Sequence, residues 1–322
     1  FAEWITGGKA EMYMWVDKQQ AMEAVNRTRK LVRKIMPFGI RKQGVNNGEL
    51  SAILADYLWG ITLMDCAALN HMVQLIAEQK QAVRTLYKFA GETDAQIAVA
   101  SYRKSRTIWC KPEAEHGRIA ARGLVHPLLK NAVGNDFILE DRAILTGANA
   151  SGKSTFMKAV AINVILAQTI HTCTAEMFGV ENVRVMTCMS LRDDVESGES
   201  YYFREAKYLR RIVEQMKKGR VFCVIDEIFK GTNTTERIAA SKAVLEYLAR
   251  TDGFVLVATH DREIVDQDFY HKYYFDSKVM EQDIVFDYKI REGIGGKSNA
   301  IALLELLGYP REIVQKAREY AI

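Results

Sequence analysis

Apolar and polar residues follow two rhythms along this chain, and the change of rhythm divides it. Between Ala10 and about Ala100 apolar positions recur every three to four residues, as at Leu54, Leu58, Ile61 and Met64. That is the period of one helical face. The run GKAEMYMWVDKQQAMEAVNRTRKLVRKIM is dense in helix formers and ends at Pro37. NNGELSAILADYLWGITLMDCAALNHMVQLIAEQKQAVRTLYKFA predicts a second helical region. ETDAQIAVASYRKS predicts a third, with Thr93 as candidate N-cap. Beyond it, short apolar runs (AILTG, VFCVID, FVLVATH) alternate with helical segments. Such alternation predicts an α/β fold, a mostly parallel sheet with helices on both faces, preceded by an all-α domain. The boundary falls within Arg103–Glu115, giving a helical domain over 1–110 and a sheet-bearing domain over 111–322.

Composition adjusts this picture little. With 48% hydrophobic and 26% charged residues over 322 positions, the chain can bury an ordinary core and fits two domains. A net charge of +4 is compatible with nucleic acid or a membrane surface and demands neither. The five cysteines form no CxxC pair, which argues against a metal knuckle. Cys223, inside an apolar run, reads as a reduced core residue of a cytoplasmic protein. No signal peptide is visible, and no apolar run approaches the ~20 residues that span a bilayer. The chain begins at Phe1 rather than Met, so a fragment with further segments upstream is expected.

The chemistry is concentrated in the second half. Gly147, Gly152, Lys153 and Ser154 fit GxxxxGKS/T, after an apolar strand and before an apolar-periodic helix. Glycine lets backbone N–H groups close around phosphate oxygens, and the helix start adds positive potential. Lys153 would meet the β- and γ-phosphates, and the Ser154 hydroxyl would ligate Mg2+. In RVFCVIDEIFKGTN a strand ends in Asp226 and Glu227. Asp226 suits a Mg2+ held through water and Glu227 the polarising of an attacking water, although such a pair can simply cap a strand. FVLVATH ends in His260, which is either structural, as a lone histidine commonly is, or a sensor or stabiliser near the γ-phosphate or the water rather than a base. Ser197, Gly198 and Ser200 precede a helix carrying Glu205, Tyr208, Leu209 and Ile212 on one face. Ser200 is either an N-cap or a phosphate contact offered to another subunit. His171 and Cys173 read as packing, and Trp15, Trp59 and Trp109 as core or interface.

Together these stretches resemble the ATPase domain of the MutS family of DNA mismatch-repair proteins. The chain has TGANASGKST (Thr146–Thr155) where the family has TGPNMGGKST, and GESYYF (Gly198–Phe203) where it has a GRSTF-type signature. It has DEIFKGTNT (Asp226–Thr234) for DEIGRGTST, followed by ATH at Ala258–His260. His126-Pro127 and Asn135-Asp136 echo the family's HP and ND pairs, and Gly295–Ala317 is similar to its closing segment. Ala148, Ala150 and Ser151 depart from the family loop but leave it usable. The aromatic that stacks on adenine falls at Ala132, with Tyr274 or Phe275 as substitutes. No mismatch-reading Phe-x-Glu wedge is found; Phe203-Arg204-Glu205 lies inside the signature helix. SGKSTF, DEIFKGTN and ERIAAS (Glu236–Ser241) look like divergent MutS-related proteins that keep the helical lever and the ATPase.

The resemblance implies a P-loop ABC-type ATPase working as a homodimer with composite sites. Gly147, Ala148, Asn149, Ala150, Ser151, Gly152, Lys153, Ser154 and Thr155 would bind ATP, with Asn135 beside it and Ser200 of the other copy closing over the γ-phosphate. Ser154 and Asp226 would hold Mg2+, and Glu227, His260 and Lys153 would be catalytic. An acidic pair in the family corresponds to Asp193 and Asp194, which otherwise read as a cap. Two purposes stay open. One is a clamp on double-stranded DNA in repair or recombination. It is favoured by the family and by the basic run Asn26–Gln43 (Arg27, Arg29, Lys30, Arg33, Lys34, Arg41, Lys42), although such a run is usually a solvated face or a juxtamembrane stretch. The other is a membrane-tethered or scaffold ATPase with a protein partner, its membrane helices lying upstream. A transporter-type nucleotide domain is disfavoured because an LSGGQ-like signature is missing.

Overall fold

The computed structural model describes residues 18–39, 57, 61, 64–148, 150–189, 201–229, 233–279, 284–295 and 300–320. The chain divides into two compact units, Phe1–Lys104 and Ser105–Ile322.

Among the described residues of the first unit, three helices pack together: α1 (Lys18–Gly39), α2 (Met64–Glu78) and α3 (Lys80–Lys104). Among the described residues the buried positions are Ala21 and Ala24 on α1, Leu75 on α2, and Ala82, Phe89 and Thr93 on α3. They fall at helical spacing, and the two alanines leave room for a neighbour. Thr93 is not the N-cap that its sequence context suggests. It is buried inside an unbroken α3, where its hydroxyl donates to the Phe89 carbonyl one turn back at 2.8 Å. That bond satisfies the side chain without ending the helix. Pro37 lies in the last turn of α1 rather than beyond it. The basic side chains Arg27, Arg29, Lys30 and Arg33 are exposed, and Arg27 pairs with Glu23 at 2.5 Å. Arg41 and Lys42 lie outside the described residues, as do Trp15 and Trp59. Among the described residues no helix is long and apolar enough to cross a membrane.

Among the described residues the second unit carries two sheets. The smaller joins β1 (Glu113–Ala114), β2 (Ile119–Leu124), β3 (Asn135–Leu139) and β5 (Met177–Val180) in the order β1-β5-β2-β3. The larger contains β4 (Arg142–Gly147), β6 (Arg184–Cys188), β7 (Val221–Asp226), β8 (Phe254–Ala258), β9 (His271–Val279) and β10 (Ile284–Glu292), in the order β10-β9-β4-β8-β7-β6. Every neighbouring pair in it is parallel except the β9–β10 hairpin. This is the predicted α/β fold with a mostly parallel sheet.

The apolar runs are continuous because both faces of the central strands are covered. Ala143, Leu145, Phe222, Val224, Phe254 and Leu256 join one core cluster. It includes Met157, Val160 and Val164 of α4 (Lys153–Ile170) and residues of the small sheet. The alternate positions, Ile144, Cys223, Ile225, Val255 and Val257, join a second cluster. That one includes Leu209 and Ile212 of α5 (Tyr201–Met216) and Leu245 and Leu248 of α6 (Thr234–Leu248). A short α7 (Arg262–Val265) follows β8, and α8 (Ala300–Leu306) and α9 (Arg311–Tyr320) close the chain.

The far end of α4 is fixed by polar contacts. Asn163 is fully buried; its Oδ1 accepts from the Thr174 backbone N–H at 2.6 Å, and its Nδ2 donates to the Ala159 carbonyl at 2.8 Å. Asn163→Ala leaves a buried N–H without its acceptor and is expected to cost about 1–3 kcal/mol, read as a lower urea midpoint at unchanged m-value. Cys173 is buried as expected, whereas His171 is exposed and closes α4 in a left-handed conformation at φ 47°.

Candidate active site

Because β4, β8 and β7 are adjacent and parallel, their carboxyl ends meet at one edge of the sheet. Leu145 pairs with Ala258, and Ala258 with Asp226, so one row of the sheet carries all three ends. Crevices at such edges are where open α/β sheets place ligands.

Past β4 the chain folds into a tight cradle. Gly147 has φ +140°, and a Cβ there would lie 2.7 Å from the Phe275 carbonyl oxygen, so only glycine fits. Ala150 at φ 65° and Gly152 at φ 105° turn the chain again before α4 begins at Lys153. Lys153 is 6% exposed and curls back over the loop, its Nζ donating to the carbonyls of Gly147 at 2.6 Å and Ala148 at 2.9 Å. Gly152 caps α4 without a side-chain hydrogen bond. Ser151 is 1% exposed, and among the described residues its hydroxyl has no hydrogen-bond partner. A buried ammonium, an orphaned hydroxyl and an uncapped helix start converge on one concavity, which favours an anion.

At the neighbouring strand end, Asp226 closes β7 at 9% exposure and Glu227 follows at φ 59°. A left-handed glutamate is strained by roughly 1–3 kcal/mol and is found where the surroundings impose it. Two bonds do so here. The Glu227 N–H donates to the Ala258 carbonyl at 2.9 Å, and the N–H of Phe229, also left-handed, donates to Glu205 Oε1 at 2.5 Å. Glu205, buried on α5, therefore holds the turn that presents Glu227. His260 Nδ1 lies 3.2 Å from Glu227 Oε1. Behind it, Asp261 is paired with Arg237 of α6 at 2.8 Å, and its N–H donates to Thr259 Oγ1 at 3.1 Å.

Beside these groups lies a cavity of about 470 Å³, which Glu227 lines and which Asp226 and His260 do not reach. Ala150, Ser151, Gly152, Lys153, Ser154 and Thr155 line it on one side. Glu227, Asn135, Ala132, Phe275 and Tyr288 also line it. Asn135 is engaged by protein: its Nδ2 donates to the Tyr288 carbonyl at 3.0 Å and its Oδ1 accepts from the Ile290 N–H at 2.8 Å. Its neighbour Asp136 accepts from the Gly123 N–H at 2.7 Å. His126 lines the cavity too, its pKa lowered by burial first and by Lys158 second. Asn149, Asp193, Asp194, Ser197, Gly198 and Ser200 lie outside the described residues.

Tyr288 is one of the cavity residues that the sequence pattern does not reveal. It adopts φ 55° where the β9–β10 register shifts between Phe286 and Ile290. The residue is 47% exposed, and its ring stands over the loop, 3.1 Å from where a Cβ on Gly152 would be. Of the two aromatic substitutes expected for Ala132, Phe275 lines the cavity, while the Tyr274 ring packs against Gly295.

Comparison with known proteins agrees with this architecture. Residues 143–322 match the family model for MutS domain V. A DNA mismatch repair protein MutS from Fusobacterium nucleatum is 30% identical over 264 residues, covering 76% of this chain and 29% of that protein. One from Natronomonas pharaonis is 30% identical over 257 residues, covering 76% and 30%. A DNA mismatch repair protein MutS 2 from Halobacterium salinarum is 29% identical over 259 residues, with the same coverage of 76% and 30%. The chain thus spans under a third of the length of these relatives. With the domain V match extending over more than half of its residues, the chain belongs to the MutS family.

Proposed function

We propose that this chain binds and hydrolyses ATP in the cavity between the Gly147–Thr155 loop and Glu227, as the ATPase part of a dimeric MutS-type clamp acting on DNA. The observation that carries the reading is the buried Lys153 ammonium, folded into a loop only glycine can form, on the same cavity as the strained Glu227 carboxylate. The orphaned Ser151 hydroxyl fits a phosphate oxygen as its missing partner. In this reading Lys153 and the first N–H groups of α4 hold the phosphates, together with Asn149. Ser154 and Asp226 are the groups that would hold Mg2+, which when bound neutralises phosphate charge. Glu227 accepts a hydrogen bond from the attacking water and orients it, and His260 fixes the Glu227 carboxylate. Most of the rate then comes from positioning and charge rather than covalent chemistry. Ser200 of a second copy would complete the site, making the active unit a homodimer.

Tyr288 offers the ring that the loop side lacks at Ala132. Tyr288→Ala is expected to weaken ATP binding about tenfold, since stacking a base on an aromatic contributes roughly 1–3 kcal/mol, while pyrophosphate binding stays unchanged. Parallel titrations with the two ligands check this.

DNA as partner rests on the relatives' names and on the exposed Arg27, Arg29, Lys30 and Arg33. A protein partner is the second reading. It is favoured by Leu69, Val73 and Ile76, which are exposed at helical spacing on α2. Steady-state ATP hydrolysis, with and without duplex DNA at low and moderate salt, tests both. Turnover that DNA stimulates and salt suppresses supports the clamp on DNA. Turnover indifferent to DNA supports the protein partner. No turnover under any condition refutes the ATPase.

A further inference from the structure

The segment that enters the second unit carries a pair of thiols the nucleotide chemistry does not use. Cys110 and Cys173 face each other in an isolated antiparallel bridge. Each backbone N–H donates to the other's carbonyl at 2.9 Å. Residues paired this way have Cα atoms about 5.5 Å apart and side chains on the same face. That separation lies inside the range disulfides span, and closing the bond draws the two Cβ atoms together by about an ångström. Both cysteines are free thiols in this structure.

Their surroundings divide the labour. Cys110 is half-buried, while Cys173 is completely buried, its sulfur 3.6 Å from the Asn163 carbonyl oxygen. The Cys173 thiol and the Phe178 backbone hydrogen-bond to the Cys110 sulfur. They hold the Cys110 thiol below its ordinary range, against burial and the nearby Glu113 carboxylate. Cys173 is pushed strongly up by the same pairing and by burial. The other thiols lack this combination. Cys66 is exposed in the helical unit, and Cys188 and Cys223 sit in the second core cluster, where burial raises both. Thiolate character with access selects the sulfur that reacts, and a neighbouring thiol resolves it.

We propose that Cys110 and Cys173 are an oxidation site that forms a reversible intramolecular disulfide with peroxide. The Cys110 thiolate attacks one peroxide oxygen, and the O–O bond breaks. The departing hydroxide takes a proton to become water, leaving Cys110 as a sulfenic acid. The Cys173 sulfur, losing its proton, attacks the Cys110 sulfur; the S–O bond breaks and the second oxygen leaves as water. Two thiols and one hydrogen peroxide give one disulfide and two waters, the thiols supplying both electrons. A dithiol reductant reverses the change. The bond ties the entering segment to the residue just past the C-terminal end of α4, the helix whose other end begins at Lys153.

The test uses the full chain in a Cys66→Ser background, treated with hydrogen peroxide and then an alkylating agent, and read by intact mass and peptide mapping. The expected product has lost two hydrogens, carries a cross-link between the Cys110 and Cys173 peptides, and returns to the dithiol with dithiothreitol. Cys110→Ser, at a half-exposed position that accommodates a hydroxyl, should form no cross-link. Cys110 appearing as sulfinic or sulfonic acid without a cross-link would overturn the proposal. So would a bridge that forms instead between Cys188 and Cys223, or no change at all. None of these readouts depends on nucleotide binding.

Discussion

Glu227→Gln is expected to slow ATP turnover by about 100- to 10,000-fold while leaving ATP affinity within a few-fold of the parent, the range associated with losing a positioned general base. The amide keeps the size and the carbonyl oxygen, so the acceptor facing His260 Nδ1 at 3.2 Å is retained. Glutamine also tolerates the left-handed backbone no worse than glutamate does at φ 59°. The turn itself is held by backbone bonds to Ala258 and by Glu205, which the substitution does not touch. What disappears is the negative charge that orients water. Single-turnover hydrolysis together with equilibrium binding separates the two effects. Equal losses in binding and turnover would mean that residue 227 holds the loop rather than the water.

Gly147→Ala is expected to destabilise the chain by about 3 kcal/mol or more and to remove any nucleotide-dependent rise in Tm. At φ +140° an alanine is strained by roughly 1–3 kcal/mol before any contact is counted. Its Cβ would also lie 2.7 Å from the Phe275 carbonyl and 3.0 Å from the Ser151 hydroxyl, so β9 or the cradle must give way. Gly117 supplies the control. It sits at φ +78° with nothing within 4 Å of a new Cβ, so Gly117→Ala carries backbone strain alone, about 1 kcal/mol. Thermal unfolding of both variants, with and without ATP, reads strain and cradle separately. A Gly147→Ala chain that melts like Gly117→Ala and still responds to ATP would show that the loop does not need its glycine.

The parts of the molecule that were legible in the sequence are those where burial on two faces leaves a continuous apolar run. AILTG, VFCVID and FVLVATH became β4, β7 and β8, and the residues at their carboxyl ends became walls or supports of the cavity. The small sheet and the outer strands were not legible. β2 carries an exposed arginine and a register shift between Ala121 and Leu124, and β9 reads HKYYFDSKV, too polar to stand out. Thr93 shows a different failure. A threonine among acidic residues looks like a cap, yet a hydroxyl that bonds one turn back sits equally well mid-helix. Tyr288 reaches the cavity only through a bulge and a left-handed backbone, neither of which leaves a period in the residue pattern. Asn135 was legible as a cavity residue, but its bonds to β10 follow from pairing between distant segments.

The central claim is that the cradle around Lys153 binds nucleotide phosphate. Calorimetric titration of ATP with Mg2+ into the full chain, beside Lys153→Ala with its fold checked by circular dichroism, tests it most directly. The account predicts saturable binding by the parent chain, competed by pyrophosphate, and its loss in the variant. Equal binding by both chains, or none by a folded parent, would contradict it.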